Sequence, residues 1–149
     1  MKANICINVL KPTDETVSFM ENLRYEAHNY TKTPDPLKSF YAIMLKEGRM
    51  LLYAVLVNNT PVAGAYVSTM GNAIFIEHVF VKPSLQRSEF HFGSNLIRFI
   101  ISQKTDLERY FGVLFDSIRI EYINEETKHI YQKMDFKESK IPGQLFKII

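Results

Sequence analysis

The run from Val79 to Ile97 holds the residues whose types and spacing best suit chemistry. It reads as an apolar strand (Val79-Phe80-Val81), a polar loop through Lys82-Pro83, Gln86, Arg87 and His91, and an amphipathic helix entered through Gly93-Ser94-Asn95. The first amides of a helix have no intrahelical partners, and the aligned peptide dipoles favour negative charge there. Gly93, Ser94 and Asn95 would therefore offer amides and a hydroxyl to an anion, and Arg87 a charge-assisted contact. Glu89 works against this, since a carboxylate is repelled by phosphate. A turn glycine and a serine cap would account for the same residues without any ligand. No metal is expected: His28, His78, His91 and His129 lie far apart, and Cys6 has no neighbour at ligand spacing.

These residues need a frame to hold them. At 149 residues the chain is long enough for one domain, 1–149, with a single core. A composition 46% hydrophobic and 23% charged argues against disorder. The longest apolar run, Met50 to Val57, is far shorter than the ~20 residues that cross a bilayer, so no membrane association is expected. Met1 to Cys6 has no signal-peptide character, and one cysteine forms no internal disulfide; a cytoplasmic location is the default expectation. The net charge of +2 comes from 18 basic and 16 acidic residues spread along the chain, which speaks against nucleic acid as a partner.

Along the chain, Ile5 to Lys11 predicts a strand ended by Pro12. Thr13 or Asp14 caps a helix with Val17, Met20, Leu23, Ala27 and Tyr30 on one face. Asp35-Pro36 opens a second helix through Leu37, Phe40, Tyr41, Met44 and Leu45, with Gly48 past its end. Met50–Val57, Val62–Thr69 and Ala73–Lys82 predict a meander across turns at Asn58-Asn59-Thr60-Pro61 and Met70-Gly71-Asn72. A helix over Phe92–Lys104, a strand over Gly112–Ile120 and a helix capped by Asn124 and running to Met134 follow. Phe136–Ser139 and Leu145–Ile149 close the chain as strands around Pro142-Gly143. The order β-α-α-β-β-β-α-β-α-β-β is α/β, a mixed and mostly antiparallel sheet flanked by helices.

Two motifs sit within this order. Val81-Lys82-Pro83 is followed by Gln86, and Asn124, Tyr131, Lys133 and Phe136 keep an Asn-x6-Tyr-x-Lys-x-Gly-Phe spacing. With them the chain resembles the GCN5-related N-acetyltransferase (GNAT) superfamily over essentially its full length. It departs from that pattern twice. The loop from Gln86 to Gly93 is two residues longer than usual, with His91 at a glycine position, and Asp135 replaces the glycine before Phe136.

The resemblance implies a GNAT-like acyltransferase that moves the acetyl group of acetyl-CoA to a primary amine, on a small molecule or a peptide, by direct attack in a ternary complex. It assigns the main chain of Val79 and Val81 to the cofactor's amides. Gln86, Arg87, Gly93, Ser94 and Asn95 fall to the pyrophosphate, and Asn124 to the pantetheine arm. Tyr131 becomes the acid for the leaving thiolate, a phenol of pKa ~10 facing a thiol of ~8.5. An amine of pKa ~10.4 costs ~4.6 kcal/mol to deprotonate at pH 7, so a base is also required. Glu77 or His78 is the candidate; as strand neighbours they are expected to face opposite sides of the sheet, with Glu77 slightly preferred. Acceptor recognition falls to the first two helices and their connection, which carry Glu21, Arg24, Tyr25, Glu26, His28, Tyr30, Asp35 and Tyr41, acids and tyrosines that would suit a cationic amine. A homodimer through the C-terminal strands is a further expectation. Two alternatives are a non-catalytic CoA-binding or interaction module with a degenerate loop, and transfer of a longer acyl group.

Overall fold

The computed structural model describes residues 3–149; Met1 and Lys2, the start of the segment without signal-peptide character, lie outside the described residues. Seven strands form one sheet in the order β1-β2-β3-β4-β5-β7-β6. Only β4 and β5 pair in parallel; every other neighbour is antiparallel. The mixed sheet expected from the sequence is the one observed.

Strand β1 (Ile5–Leu10) stops short of Pro12, and Thr13 then caps α1 (Asp14–Ala27) by accepting the Thr16 amide at 3.2 Å. Asp35-Pro36 opens only a 3-10 turn over Pro36–Lys38. Ser39, extended at φ −67° and ψ 157°, interrupts it and becomes the true cap of α2 (Phe40–Lys46), its Oγ accepting the Ala42 amide at 3.0 Å. The second helix therefore begins later than the Asp-Pro signal suggests. A serine that can cap competes with helix continuation.

The meander is β2 (Leu51–Val57), β3 (Thr60–Met70) and β4 (Ala73–Val81). Asn58 and Asn59 have φ of 51° and 67°, a two-residue hairpin turn with both central residues left-handed. Thr60 and Pro61 thus belong to β3 rather than to the turn. A central strand tolerates this proline because the ladder shifts register there, pairing Leu56 with Pro61 but Val55 with Ala63.

The expected helix after the loop is α3 (Phe92–Ser102), and a further helix, α4 (Lys104–Phe111), follows at once. Gly112, at φ 70°, ends α4, so it is a helix terminus and not the start of a strand; β5 spans Ser117–Glu121. Leu107 is the only residue of α4 that is fully buried, too thin an apolar stripe for periodicity to reveal. Helix α5 (Glu125–Lys133), β6 (Lys137–Glu138) and β7 (Gln144–Ile148) complete the chain.

Two cores result. On one face Ile74, Ile76 and Ile118 of the sheet pack with Leu96, Ile97 and Ile100 of α3 and Tyr131 of α5. On the other, Leu52, Tyr66 and Phe80 pack with Val17 and Met20 of α1 and Leu45 of α2. Full burial of each large apolar side chain contributes ~1.5–3 kcal/mol. Gly64 lets this second core close, since a Cβ there would lie 2.6 Å from Met20 and 2.7 Å from Phe80. None of the described helices is long and apolar enough to cross a membrane.

Candidate active site

The parallel pairing of β4 with β5 covers only Ala73–Ile76 against Ser117–Ile120. Beyond it β4 runs on to Val81, while the chain after β5 turns toward β7, Tyr122 donating to the Gly143 carbonyl at 3.1 Å. The strands part, and a cleft of about 630 Å³ opens between them. Along this gap the β4 backbone from Glu77 to Val81 has no β5 partner, so main-chain groups face the cleft. Val79 and Val81 line it as expected.

A second irregularity re-aims the side chains. Gly64 pairs with Phe80 and Tyr66 with Glu77, leaving His78 and Val79 opposite the single residue Ala65. His78 takes φ 54°. This is a β-bulge, and it cancels the strict alternation of a strand. Ile76 lies on the α3 face, yet so do Val79 and Val81, while Phe80 joins the α1 core. Glu77, cross-strand from Tyr66, and His78, whose ring lies 4.9 Å from that of Tyr41, both point to the α1–α2 face. The expectation of opposite faces is corrected: the inserted residue puts the two neighbours on one side.

Their electrostatics separate them. Burial, reinforced by the nearby Glu121 charge, pushes the Glu77 carboxyl up to about 7. Burial and the Arg24 cation drive the His78 imidazole down to about 4. His78 lines the cleft but stays neutral at physiological pH and is a weak base; Glu77, just outside the lining, has the proton affinity that general-base work at neutral pH requires.

Tyr131 comes from α5 and is 6% exposed, its ring 6.3 Å from Phe136. It lines the cleft. Burial raises its pKa, so it stays a protonated donor at neutral pH. Asn124 lines the same wall and caps α5, Oδ1 accepting the Thr127 amide at 2.8 Å while the Thr127 hydroxyl oxygen accepts the Asn124 amide at 3.3 Å. The cap occupies Oδ1 and leaves the Nδ2 donors for a ligand.

The loop between β4 and α3 is folded onto itself. Gln86 donates from Nε2 to the Val81 carbonyl at 3.0 Å, closing the loop on the strand end. Gly93 and Ser94 line the cleft at the start of α3. Asn95 does not: its amide is spent on the His91 carbonyl at 3.0 Å, and its side chain donates to the Phe90 carbonyl at 2.8 Å. Asn95 buttresses the loop, because by the fourth residue the helix has its own acceptor. Arg87 reaches across the cleft to Glu126 of α5 in a bidentate pair at 2.9 and 2.6 Å.

The two departures from the glycine pattern keep the glycine backbone. His91 has φ 48° and Asp135 φ 70°, both in the left-handed region where histidine and aspartate are among the more tolerant side chains. Ser88, which no sequence pattern singles out, lines the cleft inside the loop, and its buried Oγ has no partner. His28, whose Nε2 is buried and unpartnered, lines the opposite end. Beneath it Arg24 donates to Glu21 at 2.7 and 3.0 Å, and Tyr66 donates to the same carboxylate. Burial would raise the Glu21 carboxyl, but the Arg24 and Tyr66 hydrogen bonds outweigh it and hold the pKa below its usual value.

No family profile matches the sequence, and no curated protein matches it. Solved structures match in shape. An acetyltransferase from Thermus thermophilus superposes with a TM-score of 0.72 at 10% identity, over 98% of this chain and 97% of its own. The AtaTR structure bound with AcCoA gives 0.70 at 13%, over 97% and 93%. The PaiA N-acetyltransferase from Thermoplasma acidophilum, in complex with coenzyme A, gives 0.65 at 14%, over 96% of each chain. The fold of this protein is the GCN5-related N-acetyltransferase fold.

Proposed function

We propose that this protein is an acetyl-CoA-dependent N-acyltransferase that acetylates a primary amine within a ternary complex. The observation that carries the proposal is the parting of β4 from β5 at a bulge, with Tyr131 on one wall and Glu77 behind the other. The residues present fit such a cofactor. The orphaned Ser88 hydroxyl and the free amides at the start of α3 suit a pyrophosphate, and Gly93 keeps the floor low. A Cβ on Gly93 would stand 3.6 Å from Val79 and 3.7 Å from Val81, in space that a pantetheine chain would use. The solved neighbours crystallised with AcCoA or coenzyme A add fold-level support.

Acetyl-CoA supplies an activated acyl thioester. The unpaired β4 backbone between Glu77 and Val81 holds and orients it, and the same main-chain amides stabilise developing negative charge on the acyl oxygen. Glu77 accepts the ammonium proton of the acceptor, through water because it stands outside the cleft lining. Tyr131 would protonate the CoA thiolate as the C–S bond breaks and the C–N bond forms, and it would recover a proton, through solvent, from the nitrogen as that loses its second one. The exposed pair between Arg87 and Glu126 ties the β4–α3 loop to α5 and so holds this wall together.

The alternative of a non-catalytic module rests on the altered loop and on Asp135; His91 in that loop and Asp135 both take a positive φ, as a glycine can. Thermal shift and calorimetry with acetyl-CoA test the proposal, followed by turnover with a panel of amines. Absence of any stabilisation at millimolar acetyl-CoA would overturn it. Tyr131→Phe should bind the cofactor normally while kcat falls by ~10² or more; an unchanged kcat would remove Tyr131 from the mechanism.

A further inference from the structure

We infer that the acceptor is a primary amine carried a few bonds from an aromatic ring with a polar substituent, and not a polycation, resting here on the acyltransferase reading. The end of the cleft next to α1 is walled by three rings, His28, Tyr30 and His78. His28 lies 5.6 Å from His78, edge-on, and 6.1 Å from Tyr30; Tyr41 backs His78 at 4.9 Å. Such a wall gathers a flat ring in edge-on or offset contacts.

Rings can also cage a cation, but here that role is taken. The Arg24 guanidinium already lies 5.6 Å from the Tyr30 ring and 4.8 Å from the Tyr41 ring. Its field and burial keep both imidazoles neutral. Arg24 is itself paired with Glu21, so no lining residue at this end of the cleft offers a second cation a free acid. Glu126 is the one carboxylate lining the cleft among the described residues, and Arg87 holds it in a bidentate pair. An oligoamine would need several such acids. The amine to be acetylated carries a single charge, which Glu77 removes.

The polar substituent follows from His28. Its Nε2 is buried at the cleft without a partner, and an unmet polar atom of that kind is satisfied by a ligand that hydrogen-bonds to it. Ile123 and Ile130, 56% and 39% exposed, complete an apolar approach. Two sources carry this chemistry, a free hydroxyarylalkylamine and a tyrosine at a peptide N-terminus.

Acetyl transfer to tyramine, a Tyr-initiated tripeptide, phenethylamine, butylamine and spermidine tests the inference. The expected order places tyramine or the tripeptide at least tenfold above spermidine and butylamine in kcat/KM, and the better of the two names the source. Equal or higher kcat/KM for spermidine or butylamine overturns it. His28→Phe keeps a ring and drops Nε2; it should erase the preference for tyramine over phenethylamine. A retained preference overturns the His28 contact. Should no amine be acetylated, saturation-transfer NMR of tyramine against spermidine on the CoA-bound protein decides: tyramine signal alone supports the inference, and its absence overturns it. Failure of coenzyme A to stabilise the protein instead overturns the acyltransferase reading itself.

Discussion

The two walls of the cleft are built on opposite principles. The wall formed by the β4–α3 loop and α5 works through backbone amides, a helix cap and an exposed ion pair between Arg87 and Glu126. The wall formed by α1 and the β4 bulge works through buried side chains: Glu21 0% and Arg24 5% exposed, with Tyr66, Tyr41 and His78 stacked around them. Both walls contain a bidentate arginine–glutamate pair at similar distances. The surroundings make one marginal and the other decisive, because desolvation, not geometry, sets what a broken pair costs. A cofactor common to many proteins can be held by generic backbone, whereas an acceptor must be told apart by specific side chains.

The comparison can be broken at its strongest point first. Arg24→Ala leaves Glu21 buried and unpaired, and urea denaturation should show a loss of ~3–5 kcal/mol. A loss under about 1 kcal/mol would mean the pair is not sealed from water. Glu77→Gln should lower kcat by ~10²–10³ with acetyl-CoA affinity kept, as calorimetry would record. The base works deprotonated, so wild-type kcat/KM should rise with pH through about 7, and the variant should lose that limb. The same raised pKa has a stability consequence. The folded state holds the Glu77 proton more tightly than the unfolded chain, so this group's contribution is full at low pH and is lost as pH rises through about 7.

On the other wall the effects shrink. His91→Val places a β-branched residue at φ 48° and should destabilise by ~1–2 kcal/mol in thermal melts, with His91→Gly tolerated. Arg87→Ala should leave the denaturation midpoint almost unmoved, since the pair is exposed to solvent. A clear fall in the same denaturation experiment would show that the exposed clasp organises the loop, which would erase the contrast between the walls.

Much of the frame was legible in the chain. Pro12 and Thr13 end one element and begin the next, Asn58-Asn59 makes a hairpin, and Asn124 caps α5. Those signals are local, each a matter of one residue's φ preference or one side-chain acceptor. The site was legible in part: the resemblance implied Tyr131 and Asn124, the helix start pointed to Gly93 and Ser94, and all four line the cleft. Asn95 was misassigned because helix periodicity does not tell which amide is the first to find a carbonyl. Helix α4 was missed for its thin apolar stripe, and Ser88 because a serine in a polar loop carries no signal until its burial is seen.

By itself, the sequence determined every element but α4, most of the turns between them and the residues that could serve an anion or move a proton, since each depends on neighbours a few positions away. Only the tertiary structure decided which of them meet. The bulge at His78 follows from the register of β4 against β3 across Gly64 and Tyr66, and it turns two neighbouring side chains to the same face. The pKa of Glu77 near 7 follows from burial on that face and from Glu121, forty-four positions along the chain, arriving on the adjacent strand. Register and desolvation arise from contacts distant in sequence, so no local pattern encodes them.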